Sequence, residues 1–89
     1  MNAIITVVGT DQVGIIARVS AHLSLHGINI VDITQTILSG NFVMMMMVDL
    51  SASDISIQDN KKELTSLGEE LGVSINMMHE RVFTAMHRL

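Results

Sequence analysis

Eighty-nine residues with a formal net charge of −4, 48% hydrophobic residues and no cysteine describe one small domain. A chain this short buries only a little over half of its unfolded surface, so its apolar surplus is expected to seek a partner copy. The absence of cysteine excludes disulfides, thiolate metal sites and cysteine nucleophiles, and the positive residues Arg18, Lys61, Lys62, Arg81 and Arg88 are too scattered to track a phosphate backbone.

The start carries neither a basic segment nor an apolar leader core, and no apolar run is long enough to span a bilayer, so a cytoplasmic protein without a membrane or direct nucleic-acid partner is expected. The run Ala3 to Val8 is apolar and rich in β-branched residues, which predicts a strand. It feeds into Gly9-Thr10-Asp11-Gln12-Val13-Gly14, after which the apolar spacing turns helical. Two glycines thus bracket one corner. Any α/β protein needs such tight turns, and glycine is a common way to make them. The functional reading adds that a helix start behind the turn presents partial positive charge, suited to a carboxylate or another anion. The corner is not a nucleotide loop, because it has neither three glycines at fixed spacing nor a following lysine.

Residues 14–26 place Ile16, Val19 and Leu23 on one helical stripe with Ile15 beside it, and Gly27 supplies a stop. Ile28 to Leu38 alternates first as Ile28/Ile30 and then as Ile33/Ile37, so a strand with a bulge near Asn29 is predicted. Ser39-Gly40-Asn41 reads as a hairpin turn. Phe42 to Leu50 is a nearly unbroken apolar run, as expected of a central strand covered on both faces. After a polar loop, Ser56-Ile57-Gln58-Asp59 resembles a capping box, Ile57, Leu64, Leu67 and Leu71 repeat at helical spacing, and Gly72 ends the helix. Val73 to Met77 alternates as a half-exposed last strand.

This order predicts an α+β fold, the ferredoxin-like βαββαβ sandwich, with a four-stranded antiparallel sheet in order 4-1-3-2 and two helices on one face. The domain is expected to cover residues 1–80. The tail, 81–89, is expected to form a short helix, with Val82, Met86 and Leu89 at helical spacing and Phe83 adjacent, docked on the domain or on a neighbour.

Several chemistries fall away. Met44 to Met47 suggests soft-metal binding, but consecutive strand residues point to opposite faces, so packing is the better reading. His22 and His26 stand at i, i+4 without an obvious third ligand, so a solvated helix face is expected rather than a metal. His79 and His87 lack evident partners. No nucleophile with a base and no pair of carboxylates in contrasting environments stands out, so an enzyme is not expected. Phe42 and Phe83 are the only aromatics for stacking RNA bases and the charge is negative, while the paired-cysteine loop of metallochaperones and the first-turn arginine of acylphosphatases are missing. A binding module without a cofactor remains.

The turn from Gly9 to Ile15, the helix ending in His26-Gly27, and Gly27-Ile28-Asn29-Ile30 opening the second strand resemble an ACT domain over residues 3–80. The chain is similar to stand-alone ACT proteins and to the ACT repeats of glycine-cleavage-system repressors. The resemblance implies a free amino acid held between two domains of a homo-oligomer, a dimer or a multiple of one, with a regulated protein partner possible. It places the ligand on Gly9, Thr10, Asp11, Gln12, Val13, Gly14 and Ile15 of one copy and on Asn29 of the next. Amides near Gln12 to Ile15 suit an α-carboxylate, Asp11 an ammonium, and Asn29 either group. Val13 stands where many members have proline, which leaves this turn less preorganised. The alternative is an oligomerising scaffold of the same fold that binds no ligand.

Overall fold

A computed structural model of the chain describes residues 1–10 and 12–86. The elements run β1 (Asn2–Gly9), α1 (Gln12–Leu25), β2 (Asn29–Leu38), β3 (Asn41–Asp49), α2 (Ile57–Leu71), β4 (Ser74–His79) and α3 (Glu80–Met86). The strands form one sheet in order β2-β3-β1-β4, with every neighbouring pair antiparallel. This is the expected ferredoxin-like order, with β1 and β3 in the centre.

Both long helices end alike. Gly27 and Gly72 each sit at φ +70, and the next residue donates its N–H back across the last turn, Ile28 to the Leu23 carbonyl and Val73 to that of Gly68, each at 2.9 Å. Glycine enters the left-handed region without the Cβ penalty, so each βαβ half stops its helix where the sequence predicts. At the start of α2 the Ser56 hydroxyl accepts the Asp59 N–H at 3.1 Å, the expected cap. Ser39 and Gly40, at φ 53 and 80, form the two-residue loop between β2 and β3. Paired positive φ values match the twist of the flanking strands. The predicted irregularity in β2 falls between Ile30 and Asp32, leaving Val31 as the extra residue.

The core lies between one face of the sheet and the helices: Ala3, Ile5 and Val7 from β1, Phe42, Met44, Met46 and Val48 from β3, and Ile75 and Met77 from β4 meet Ile15, Val19, Leu23 and Leu64. The stripe of α1 is therefore centred on Ile15, and Ile16 is only partly buried. Burying such side chains is worth about 1.5–3 kcal/mol each before entropy is subtracted.

One expectation needs correcting. β3 is not covered on both faces: its residues alternate between buried and half-buried, because both long helices lie on the side of Phe42 and Met44. Val43, Met45 and Met47 form part of the opposite, more open side. The tail does form a helix, α3, against β1 and β4, but it buries none of its residues fully. Val82 and Met86 remain exposed while Phe83 is half-buried, and Leu89 and His87 lie outside the described residues.

Every residue of β2 is exposed. The helix layer stops short of this edge, so Ile30, Ile33 and Ile37, on the helix side of the sheet, stay 40%, 42% and 58% open. Among the described residues no helix is long and apolar enough to cross a membrane.

Candidate functional site

The corner between β1 and α1 is built from Gly9. A Cβ placed there would run into the Val73 side chain and come within 2.8 Å of Ile15 Cδ1. Only a residue without a side chain lets β1 turn under these two groups. Gly14 is the third residue of α1.

The other residues of the corner divide by direction. Ile15 is 1% exposed and belongs to the core, so it can meet a ligand only through its backbone. Thr10 and Val13 face outward, Val13 at 80% exposure, and Gly14 is half-buried. Gln12 opens the helix. Asp11 lies outside the described residues.

Asn29 is exposed at the start of β2. It sits opposite Asp49, which in turn sits opposite Asn2 at the beginning of β1. Gly9, by contrast, shares its row with Phe42 and Ile37 at the far end. The rise of a strand makes this separation about 23 Å. Within one chain, then, the structure gathers Gly9 to Ile15 and leaves Asn29 at the other end of the sheet.

A cluster that sequence reasoning missed lies between α1 and α2. The expectation of a solvated face for His22 and His26 does not hold: their side chains are only 9% and 12% exposed, and their rings lie side by side with centroids 4.7 Å apart. The missing third group is Glu63 of α2. Its Oε1 lies 3.2 Å from His26 Nε2 and 3.9 Å from His22 Nδ1. Asp54 Oδ1 lies 2.7 Å from His26 Nδ1, and the fully buried Asn60 places Oδ1 3.0 Å from His22 Nε2. The hydrogen bond to Asp54 raises the pKa of His26 above its ordinary value, burial opposes the rise, and Glu63 adds to it. The i, i+4 histidines were visible in the sequence; the groups opposing them were not, because Asp54 and Glu63 are brought in by a contact 28 to 37 residues distant.

Elsewhere Arg18 pairs with Glu70 across the helices at 2.8 Å, and other polar side chains are tied locally. The Ser51 hydroxyl and then its backbone N–H, at 2.6 and 2.9 Å, hold the Asp49 carboxyl below the usual carboxylate range. His79 Nδ1 accepts the Arg81 N–H at 3.0 Å.

Comparison with known proteins agrees with this architecture. The sequence pattern of the ACT domain matches residues 2–78. A UPF0237 protein of Listeria innocua is 51% identical over 89 residues, covering all of both chains. The solved structure of an ACT domain protein from Streptococcus pneumoniae superposes with a TM-score of 0.81 at 41% identity, covering 93% of each chain. A putative glycine cleavage system transcriptional repressor gives a TM-score of 0.73 at 28% identity over 89% of this chain and 47% of its own. Fold, corner and relatives converge: the chain belongs to the ACT domain family, whose members serve as small-molecule-binding regulatory modules.

Proposed function

We propose that this ACT domain senses a free amino acid at the boundary between two copies of the chain. The observation that supports it best is the combination of an entirely exposed β2 with the opposite placement of Asn29 and the Gly9 corner. An edge strand with open backbone groups and Ile30, Ile33 and Ile37 half out of the core invites pairing with another strand. Twofold antiparallel pairing of β2 with its copy sets the Asn29 end of one strand beside the Leu38 end of the other. The corner of that second copy then lies three strand spacings from Asn29, about 14 Å. One amide from each copy and one corner from the other make two equivalent sites per dimer.

In such a site the backbone around Gln12 to Ile15 meets the α-carboxylate at the positive end of α1, Asp11 meets the ammonium, Thr10 offers a hydroxyl, and Asn29 bridges from the partner copy. Gly9 keeps the corner tight and Val13 borders it. The same exposed edge also favours a second reading, an oligomerising scaffold without a ligand. A thermal-shift screen of the twenty amino acids followed by calorimetry separates the two, since a ligand binding only the folded state raises the melting temperature. Sensing requires one amino acid to bind tighter than about millimolar, roughly 4 kcal/mol. Asp11→Ala and Asn29→Ala should each weaken it by about 1–3 kcal/mol while the oligomer persists. If nothing binds in that range, the scaffold reading stands. If both variants bind as well as the parent, the site lies elsewhere.

A further inference from the structure

We infer that His22, His26 and Glu63 form a binding site for a divalent transition-metal ion of the zinc class, in the seam between α1 and α2. One donor atom from each of the three side chains falls within a sphere where all lie less than 4.8 Å apart. Tetrahedral coordination at about 2.0–2.1 Å asks for donor spacings of about 3.3 Å. His26 Nε2 and Glu63 Oε1 already stand at 3.2 Å, and His22 Nδ1 is 3.9 Å from the same oxygen. Glu63 is half exposed and has the side-chain freedom to close the difference.

Proximity alone would not separate a metal site from an ion pair; the outer partners do. Asn60 Nδ2 donates to the Ser56 carbonyl at 3.1 Å and to the Ser53 hydroxyl at 3.4 Å. A carbonyl only accepts, so the amide orientation is fixed and Oδ1 must face His22. His22 Nε2 therefore donates to Asn60, and Nδ1 is the nitrogen that faces Glu63. On the other ring Asp54 accepts from Nδ1 at 2.7 Å, which leaves Nε2 to face Glu63. Each histidine thus has its outer nitrogen held by an oxygen acceptor and its inner nitrogen aimed at one carboxylate. That is the outer-shell pattern of ligating histidines, whose second ring nitrogen donates to a carboxylate or carbonyl oxygen. The ion takes the place of a proton on His26 Nε2, which leaves to solvent.

Two imidazoles and one carboxylate suit zinc, cobalt or nickel better than magnesium or calcium, which prefer all-oxygen sites. Three protein ligands leave a coordination position for water. The groove beside the cluster, about 440 Å³ and walled by Arg18, Ala21, Leu25, Ser66 and Leu67, gives that position access to solvent. The site is separate from the Gly9 corner, at the opposite end of α1.

The test uses the metal-stripped full chain, Co²⁺ as the spectroscopic probe and Zn²⁺ as the competitor. The expected result is one Co²⁺ per chain with visible absorption of a tetrahedral nitrogen-oxygen site, displaced by Zn²⁺ at a dissociation constant of about 10 μM or tighter. His22→Gln, His26→Gln and Glu63→Gln should each weaken binding at least tenfold, and His79→Gln should not. Circular dichroism of the metal-free variants confirms folding, and half-exposed Glu63 carries the decision should a histidine variant unfold. Absence of stoichiometric binding overturns the inference, as does binding that Glu63→Gln leaves unchanged.

Discussion

β2 and β3 are the two arms of one tight hairpin and are similarly rich in apolar residues, yet they live in different environments. Every second residue of β3 is buried, and none of β2 is. The contrast is sharpest along one row of the sheet. Ile37 is 58% exposed, its neighbour Phe42 is 1% exposed, and next to Phe42 stands Gly9, where a Cβ has no room. In three strand positions the environment passes from open edge to filled core to overfilled corner. What changes is the cover: α1 and α2 close over β1 and β3, and the helix layer ends before β2. Hydrophobicity that the chain cannot bury by itself has been left where a second strand would use it.

That row can be tested at each of its positions. Phe42→Ala should cost about 3–5 kcal/mol in urea denaturation, the range for emptying a packed aromatic site. Ile37→Ala, measured dilute enough to keep the chain monomeric, should stay within about 0.5 kcal/mol. Comparable losses at the two positions would mean that β2 is covered in the isolated chain. Gly9→Ala should cost about 1–3 kcal/mol through overpacking against Val73 and Ile15. Pairing it with Val73→Ala removes the nearest obstacle, and the double variant should recover part of the loss. An undiminished midpoint in Gly9→Ala alone would show that the corner has slack.

The edge itself is probed by Ile33→Asp, which puts a carboxylate on the face where β2 would meet its copy. Light scattering should find the parent as a dimer, or a multiple of one, at micromolar concentration. The variant should shift toward monomer by at least tenfold in dissociation constant, about 1.4 kcal/mol. A parent that is monomeric, or a variant that associates equally well, removes β2 as the interface and with it the proposed shared site.

The strand order, both glycine helix stops, the hairpin turn and the bulge were legible in the sequence because each is written in local residues: periodicity, Gly27, Gly72, Ser39-Gly40 and the shift of alternation around Val31. The difference between β2 and β3 was not, since either run reads as apolar and only the placement of the helices decides which is covered. The same limit applied to the candidate sites. That Gly9 has no room for a Cβ was not legible, because the group it meets, Val73, is more than 50 residues away. His22 and His26 looked solvated until α2 brought Asn60 and Glu63 against them.

The smallest predicted effect separates the helix layer from the edge strand by pH. His26 is flanked by Asp54 and Glu63, with the His22 ring beside it and Asp54 giving the largest upward push. Because its pKa is raised on folding, the folded chain holds this proton more tightly than the unfolded one. The resulting stabilisation is fully present below the ordinary value of 6.5 and is lost as pH rises through the raised value. In a chelating buffer, which keeps metal off the imidazoles, the urea midpoint should therefore fall as pH rises from the ordinary value of 6.5 through the raised value. His26→Gln should flatten that slope. The dimer constant should not follow it, because no residue of β2 touches the cluster in the hydrogen bonds and ion pairs described for these groups. If the slope survives in His26→Gln, the proton is held elsewhere. If dimerisation moves with the same pH profile, the seam and the edge are coupled, and the sharp division between them fails.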